Sequence, residues 1–122
     1  MNQLCKQFLQ EISSVWPTVG TTCEKYIAYW HPEEPPLTGI FGEVGQVIVD
    51  NFDAIKPDVR AEIMRLIETG ILTEDEQLGI AVETGMIEAM TGAAANIEGR
   101  IEILLSELGP RSKSHAIAWL NF

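Results

Sequence analysis

The stretch Thr73–Thr91, TEDEQLGIAVETGMIEAMT, decides the fold of this chain. Its opening, Thr73-Glu74-Asp75-Glu76, has the form of a capping box, in which the Thr73 hydroxyl accepts from the Glu76 amide and the Glu76 side chain reaches back. At about 100° per residue, Leu78, Val82, Gly85 and Ala89 share one narrow sector and make a core-facing stripe. Ile80 and Ile87 fall nearly opposite, beside Glu76 and Glu83. A helix that is apolar on two sides is packed on two sides, so the pattern predicts a helix at the centre of its domain. With one side open, Ile80 and Ile87 flanked by Glu76 and Glu83 would instead make an interface strip. Gly79 and Gly85 cost a helix about 1 kcal/mol each, which suits positions where neighbouring helices approach closely.

Outward from this helix the chain reads as further helices with explicit stops. Upstream, Lys56-Pro57-Asp58 sets proline at a first helical position, with an acid suited to the positive helix end. Val59, Ile63, Leu66 and Ile67 form the next stripe, and Gly70 is the expected C-terminal stop. Before it, Thr38 is placed to cap a helix carrying Ile40, Phe41, Val44, Val47, Ile48 and Phe52. The segment His31-Pro-Glu-Glu-Pro-Pro36 cannot sustain a helix. It separates two N-terminal helices from the rest. The first carries Leu4, Cys5, Phe8, Leu9, Ile12, Val15 and Trp16 and stops at Pro17. The second, about Thr18 to Trp30, is expected to bury Val19, Cys23, Tyr26, Ile27 and Trp30. Downstream, Ile97, Ile101, Leu104, Leu105 and Leu108 mark a sixth helix ending at Gly109-Pro110, and Ala116, Ile117, Trp119 and Leu120 a short seventh. No segment alternates with period two. The expectation is one all-α domain over residues 1–122, about seven short helices in a compact bundle or a short solenoid of antiparallel pairs.

Composition agrees. The 122 residues are 46% hydrophobic and 21% charged, enough for one core without a metal or disulfide staple. Cys5 and Cys23 read as small buried apolar groups, with a bridge between neighbouring helices as the alternative. The N-terminus lacks a signal-peptide pattern and no window suits a membrane span, so a cytoplasmic location is expected.

Little in the sequence suggests catalysis, a cofactor or a metal site, and the chain reads as a non-enzyme. His31 and His115 have no second ligand at metal spacing. Ser112, Ser114 and His115 are adjacent but lack a third orienting group. Gly39, Gly42 and Gly45 follow no strand and precede no lysine, so they favour close helix packing over a phosphate loop. Met86 and Met90 suit core filling.

Charge is the more informative feature. Eighteen acids against eight bases give a net charge of −10, which disfavours nucleic acid and anionic membranes and attracts basic partners. The imbalance is local. Between Arg65 and Arg100 no lysine or arginine occurs, while Glu68, Glu74, Asp75, Glu76, Glu83, Glu88 and Glu98 all do. These seven residues are the candidate partner-binding surface.

The order Ile63 to Glu68, a short linker, then Val82 to Ala89 with its Thr-Gly-Met-Ile-Glu core resembles a group of small acidic helical bacterial proteins over residues 37–108. That group comprises immunity proteins of polymorphic or contact-dependent growth-inhibition toxin systems. The resemblance implies a protein that binds a cognate toxin, often a basic nuclease, and blocks its active site or substrate groove. The alternative is a regulatory or scaffold module that recognises a peptide or partner helix through apolar grooves, with Trp16, Trp30 and Trp119 as candidate anchors.

Overall fold

The computed structural model describes residues 1–121, and these form seven helices and no strand. Helix α1 spans Gln3–Val15, α2 Thr18–Trp30, α3 Leu37–Asp50 and α4 Pro57–Ile71, with a single 3₁₀ turn at Phe52–Ala54 before α4. Helix α5 occupies residues 76–95 as three continuous pieces: α-helical Glu76–Ile80, π-helical Ala81–Ile87 and α-helical Glu88–Ala95. Helices α6, Arg100–Glu107, and α7, Pro110–Leu120, close the domain.

Helix α5 is the axis of the bundle, touching α1, α3, α4, α6 and α7. A solenoid brings together only sequential neighbours, so contacts of α1 with α4 and α5 rule that arrangement out. The core gathers Ile12 of α1, Phe41 and Ile48 of α3, Ile63 and Ile67 of α4, Val82, Met86 and Met90 of α5, and Leu104 of α6, all fully enclosed.

The closest pairing is α3 against α5, and glycine makes it possible. A Cβ on Gly45 would lie 2.6 Å from the Met86 carbonyl oxygen, and one on Gly85 3.0 Å from the Thr38 carbonyl oxygen. Backbone meets backbone from both sides, so any side chain at either position would force the helices apart. Gly79 has no such role: the nearest atom to a Cβ there is Thr73 Cγ2 at 3.8 Å.

Several local expectations shift. Thr38 does not cap α3, which begins at Leu37 behind Pro36. Gly70 does not end α4; it lies inside the helix, where a Cβ would stand 2.7 Å from the Phe8 ring. Asp75, not Thr73, caps α5, its Oδ2 accepting from the Leu78 amide at 2.9 Å. Thr73 supports it from one step back, its Oγ1 accepting from the Asp75 amide at 3.2 Å. Helix α6 starts only at Arg100, after Gly99 at φ 78°.

The two-sided α5 is half realised. Ile87 is fully buried while Ile80 is 47% exposed. Between them the Glu88 amide donates to the Glu83 carbonyl, five residues back. A wider turn rotates each residue by less than the α-helical step, so projection at a constant angle misplaces the residues beyond it. Helix α2 departs further: only Val19 and Cys23 are buried, Tyr26 and Trp30 are half-buried, and Ile27 is 46% exposed.

Candidate functional site

The seven acids between Arg65 and Arg100 divide by what each carboxylate touches. Three are engaged within the fold. Glu68 on α4 receives the Arg111 amide at 3.0 Å, the Ser112 amide at 3.0 Å and the Ser112 hydroxyl at 2.8 Å. It is the cap of α7, supplied from another helix because Gly109 and Pro110 bring no capping side chain of their own. Burial pushes the Glu68 carboxyl up, but the hydrogen bonds from Ser112 and Arg111 outweigh it and hold the group below its ordinary value.

Asp75 caps α5 and also accepts from Asn2 Nδ2 at 3.0 Å. The Leu78 amide and then Asn2 hold its carboxyl below the usual range. Asn2 in turn caps α1, its Oδ1 accepting from the Cys5 amide at 2.9 Å, and its own amide donates to Gln77 Oε1 at 2.7 Å. The starts of α1 and α5 are thus tied together, Gln77 of α5 satisfying the Asn2 amide and Asn2 donating to the residue that caps α5. Glu88 meets His115 Nε2 at 2.9 Å, with both side chains about three-quarters covered. Glu68, Asp75 and Glu88 are therefore fastenings of the fold.

The carboxylates of Glu74, Glu76, Glu83 and Glu98 make no hydrogen bond or ion pair with another described residue. They do not all meet. Glu98 lies past the C-terminal end of α5, and Glu74 and Glu76 stand at its start, about 30 Å away along the axis. What remains is the α4–α5 connection and the first turns of α5, where Leu72 is 56% exposed beside Glu74 in the connection and Ile80, 47% exposed, has Glu76 four residues before it and Glu83 three after. An apolar centre with a polar rim is the usual anatomy of a protein-binding patch, and here the rim is acidic.

Glu68 yields the first test of this division. Glu68→Ala is expected to cost about 1–2 kcal/mol, the value of a helix cap, in urea unfolding at pH 7. A carboxyl whose value is lowered by folding stabilises above its unfolded value, and that contribution is lost as pH falls through the folded one. The gap between wild type and variant should therefore narrow below a pH of about 4. A Glu68→Ala protein as stable as wild type at pH 7 would return Glu68 to the free surface.

The chemistry-bearing side chains are arranged structurally. The Ser112 hydroxyl donates to Glu68 and the His115 imidazole faces Glu88, so the two do not form a nucleophile and base. Gly42 and Gly45 lie against the backbone of α5, leaving no phosphate cradle. Cys5 and Cys23 are free thiols. Burial, with Glu24 adding to it, pushes Cys23 up to about 11, far from a reactive thiolate. Among the described residues no group of three or more His, Cys, Asp or Glu side chains could hold a metal ion, and no helix is long and apolar enough to cross a membrane.

Sequence reasoning did not locate a recess of about 870 Å³ between α1 and α2, floored by Leu9, Cys23, Ile27 and Ile40 and closed at one end by the 31–35 loop. A signal was present in the chain. Tyr26-Ile27-Ala28-Tyr29-Trp30 is an unbroken apolar run spanning more than a full helical turn, so its members cannot all face one core. No family model, no curated protein and no solved structure matches this chain.

Proposed function

We infer that this chain is a non-catalytic protein-binding module of the cytoplasm that neutralises a basic bacterial toxin domain, an immunity protein in the sense its 37–108 segment resembles. The observation that carries the reading is the patch at the start of α5. Leu72 and Ile80 stay exposed in the stretch that carries Glu74, Glu76 and Glu83, whose carboxylates have no partner among the described residues. Such a patch would occupy the basic groove that a nuclease offers to phosphates, its field speeding the encounter and the two aliphatic side chains slowing escape.

The test pairs the chain with the toxin domain encoded beside its gene. Wild type is expected to restore growth to cells producing that domain and to associate with it faster at low than at high salt. Glu76→Lys with Glu83→Lys should lower the association rate by about tenfold or more at low ionic strength, with the circular dichroism unchanged. A wild-type chain that fails to protect overturns the inhibitor reading. Protection with an unchanged rate in the double variant overturns the acidic patch as the contact.

The α1–α2 recess favours a second reading, a regulatory or scaffold module taking a peptide or partner helix. Binding there would respond little to salt and would survive the Glu76→Lys/Glu83→Lys change.

A further inference from the structure

Helix α2 leaves much of its apolar content uncovered, with only Val19 and Cys23 of its thirteen residues buried. It packs chiefly on α1 and α3, and three surface recesses border it. One of these, about 440 Å³, is bounded by Glu24, Ile27, Ala28 and His31, which lie on the outer face of α2 and at its C-cap and are all exposed.

Two observations indicate what covers that face. The first is charge. Residues 1–32 contain two acids, Glu11 and Glu24, and two bases, Lys6 and Lys25, so the whole formal charge of −10 falls on the rest of the chain. Of those four only Glu24 bounds the recess, so a basic partner would be drawn more strongly elsewhere, whereas a second copy, repelled by most of the molecule, meets a single carboxylate here.

The second is symmetry. In an isologous contact each residue pairs with its counterpart about a two-fold axis. An antiparallel α2 pair centred between Ile27 and Ala28 sets Ile27 of each copy over the small Ala28 of the other. The same register sets Glu24 against His31 at both ends, a carboxylate facing a ring that offers an N–H in either tautomer. A protruding side chain meets a depression, and an acceptor meets a donor, each twice.

We propose that the outer face of α2 is a homodimer interface, with two copies packed antiparallel about Ile27 and Ala28. This goes beyond the toxin-binding reading and uses a different surface. Salt separates the two, because screening strengthens the association of two chains of charge −10 and weakens capture of a basic partner.

Sedimentation equilibrium of the full chain tests the proposal, with twice the 13.5 kDa chain mass expected at micromolar to millimolar concentration and a tighter dimer at higher salt. Ala28→Arg fills the depression and should give a monomer with unchanged helical circular dichroism, since residue 28 is exposed. Glu24→Arg should weaken the dimer about tenfold, and adding His31→Glu should restore it by exchanging the two charges. Glu76→Lys with Glu83→Lys should leave the dimer intact. A monomeric wild type, a dimer untouched by Ala28→Arg, no recovery in the Glu24→Arg/His31→Glu protein, or loss of the dimer on changing Glu76 and Glu83 would each overturn the proposal.

Discussion

Phe41→Ala is expected to destabilise the fold by about 3–5 kcal/mol, a large share of the roughly 5–15 kcal/mol that holds a domain together. Phe41 is fully enclosed and stacks on Phe8 of α1, with ring centroids 5.6 Å apart and planes 16° from parallel. Its Cβ also lies 2.9 Å from where a side chain on Gly85 would begin. The residue therefore meets α1 with its ring and the α3–α5 seam with its Cβ. Removing the ring leaves a cavity that the seam cannot close, because Gly45 and Gly85 already hold the two backbones at contact. Urea unfolding should show a lower midpoint with an unchanged slope. Tyr29→Ala, at a side chain 81% exposed, should stay within about 0.5 kcal/mol of wild type. A Phe41→Ala protein within about 1 kcal/mol of wild type would mean that the seam can relax after all.

Arg60→Ala is the second large effect, expected at about 2–4 kcal/mol. The Arg60 guanidinium donates to both Glu107 oxygens at 3.0 and 3.1 Å, and to the carbonyls of Phe52 at 3.1 Å and Ile55 at 2.8 Å. It also lies over the Phe52 ring, 4.5 Å from the centroid, and Arg100 lies over the same ring at 4.8 Å while gripping Asp53. This cluster ties the 3₁₀ turn, α4 and α6 together. Deleting Arg60 strands a largely covered carboxylate and the Ile55 carbonyl, the Phe52 carbonyl keeping the Ile55 amide, so the loss exceeds that of the pair itself. Arg60→Lys should recover only part of it, since an ammonium cannot supply the planar fork. Arg65→Ala provides the contrast. Arg65 pairs with Glu62 one turn away, with the side chains 60% and 40% exposed, and its loss should cost under about 0.5 kcal/mol. Hydrogen exchange would show α6 amides opening sooner in Arg60→Ala and no change in Arg65→Ala. Equal stabilities for the two variants would remove the cluster from the account.

Glu88 and Glu98 show why acid content alone misjudged the binding surface. In sequence both are carboxylates in a segment without cations. In space Glu88 meets His115, 27 residues on, whereas Glu98 stands alone beyond the far end of α5. Glu68 is sharper still. Its partners lie 43 and 44 residues away in a helix whose start has no cap of its own. Asp75 differs, because its role is local. By sequence Thr73 of Thr73-Glu74-Asp75-Glu76 is the expected cap, but Asp75 is equally suited by type, and the choice fell to the one that also reaches Asn2.

The sequence by itself determined the helical class, the seven helices with the proline breaks between them, and the place of the 76–95 helix at the centre. These arise from interactions between residues three or four apart and from backbone rules that hold in any surroundings. Only the tertiary structure decided which acids are free, that Ile80 is exposed while Ile87 is buried, and that α2 keeps an open face. Each depends on which helices come alongside, and Arg60–Glu107 and Arg100–Asp53, both 47 residues apart, show the reach of those choices. A carboxylate carries the same charge in sequence whether it later binds a partner or caps a helix. The difference lies in the Ser112 amide that folding brings to 3.0 Å from Glu68.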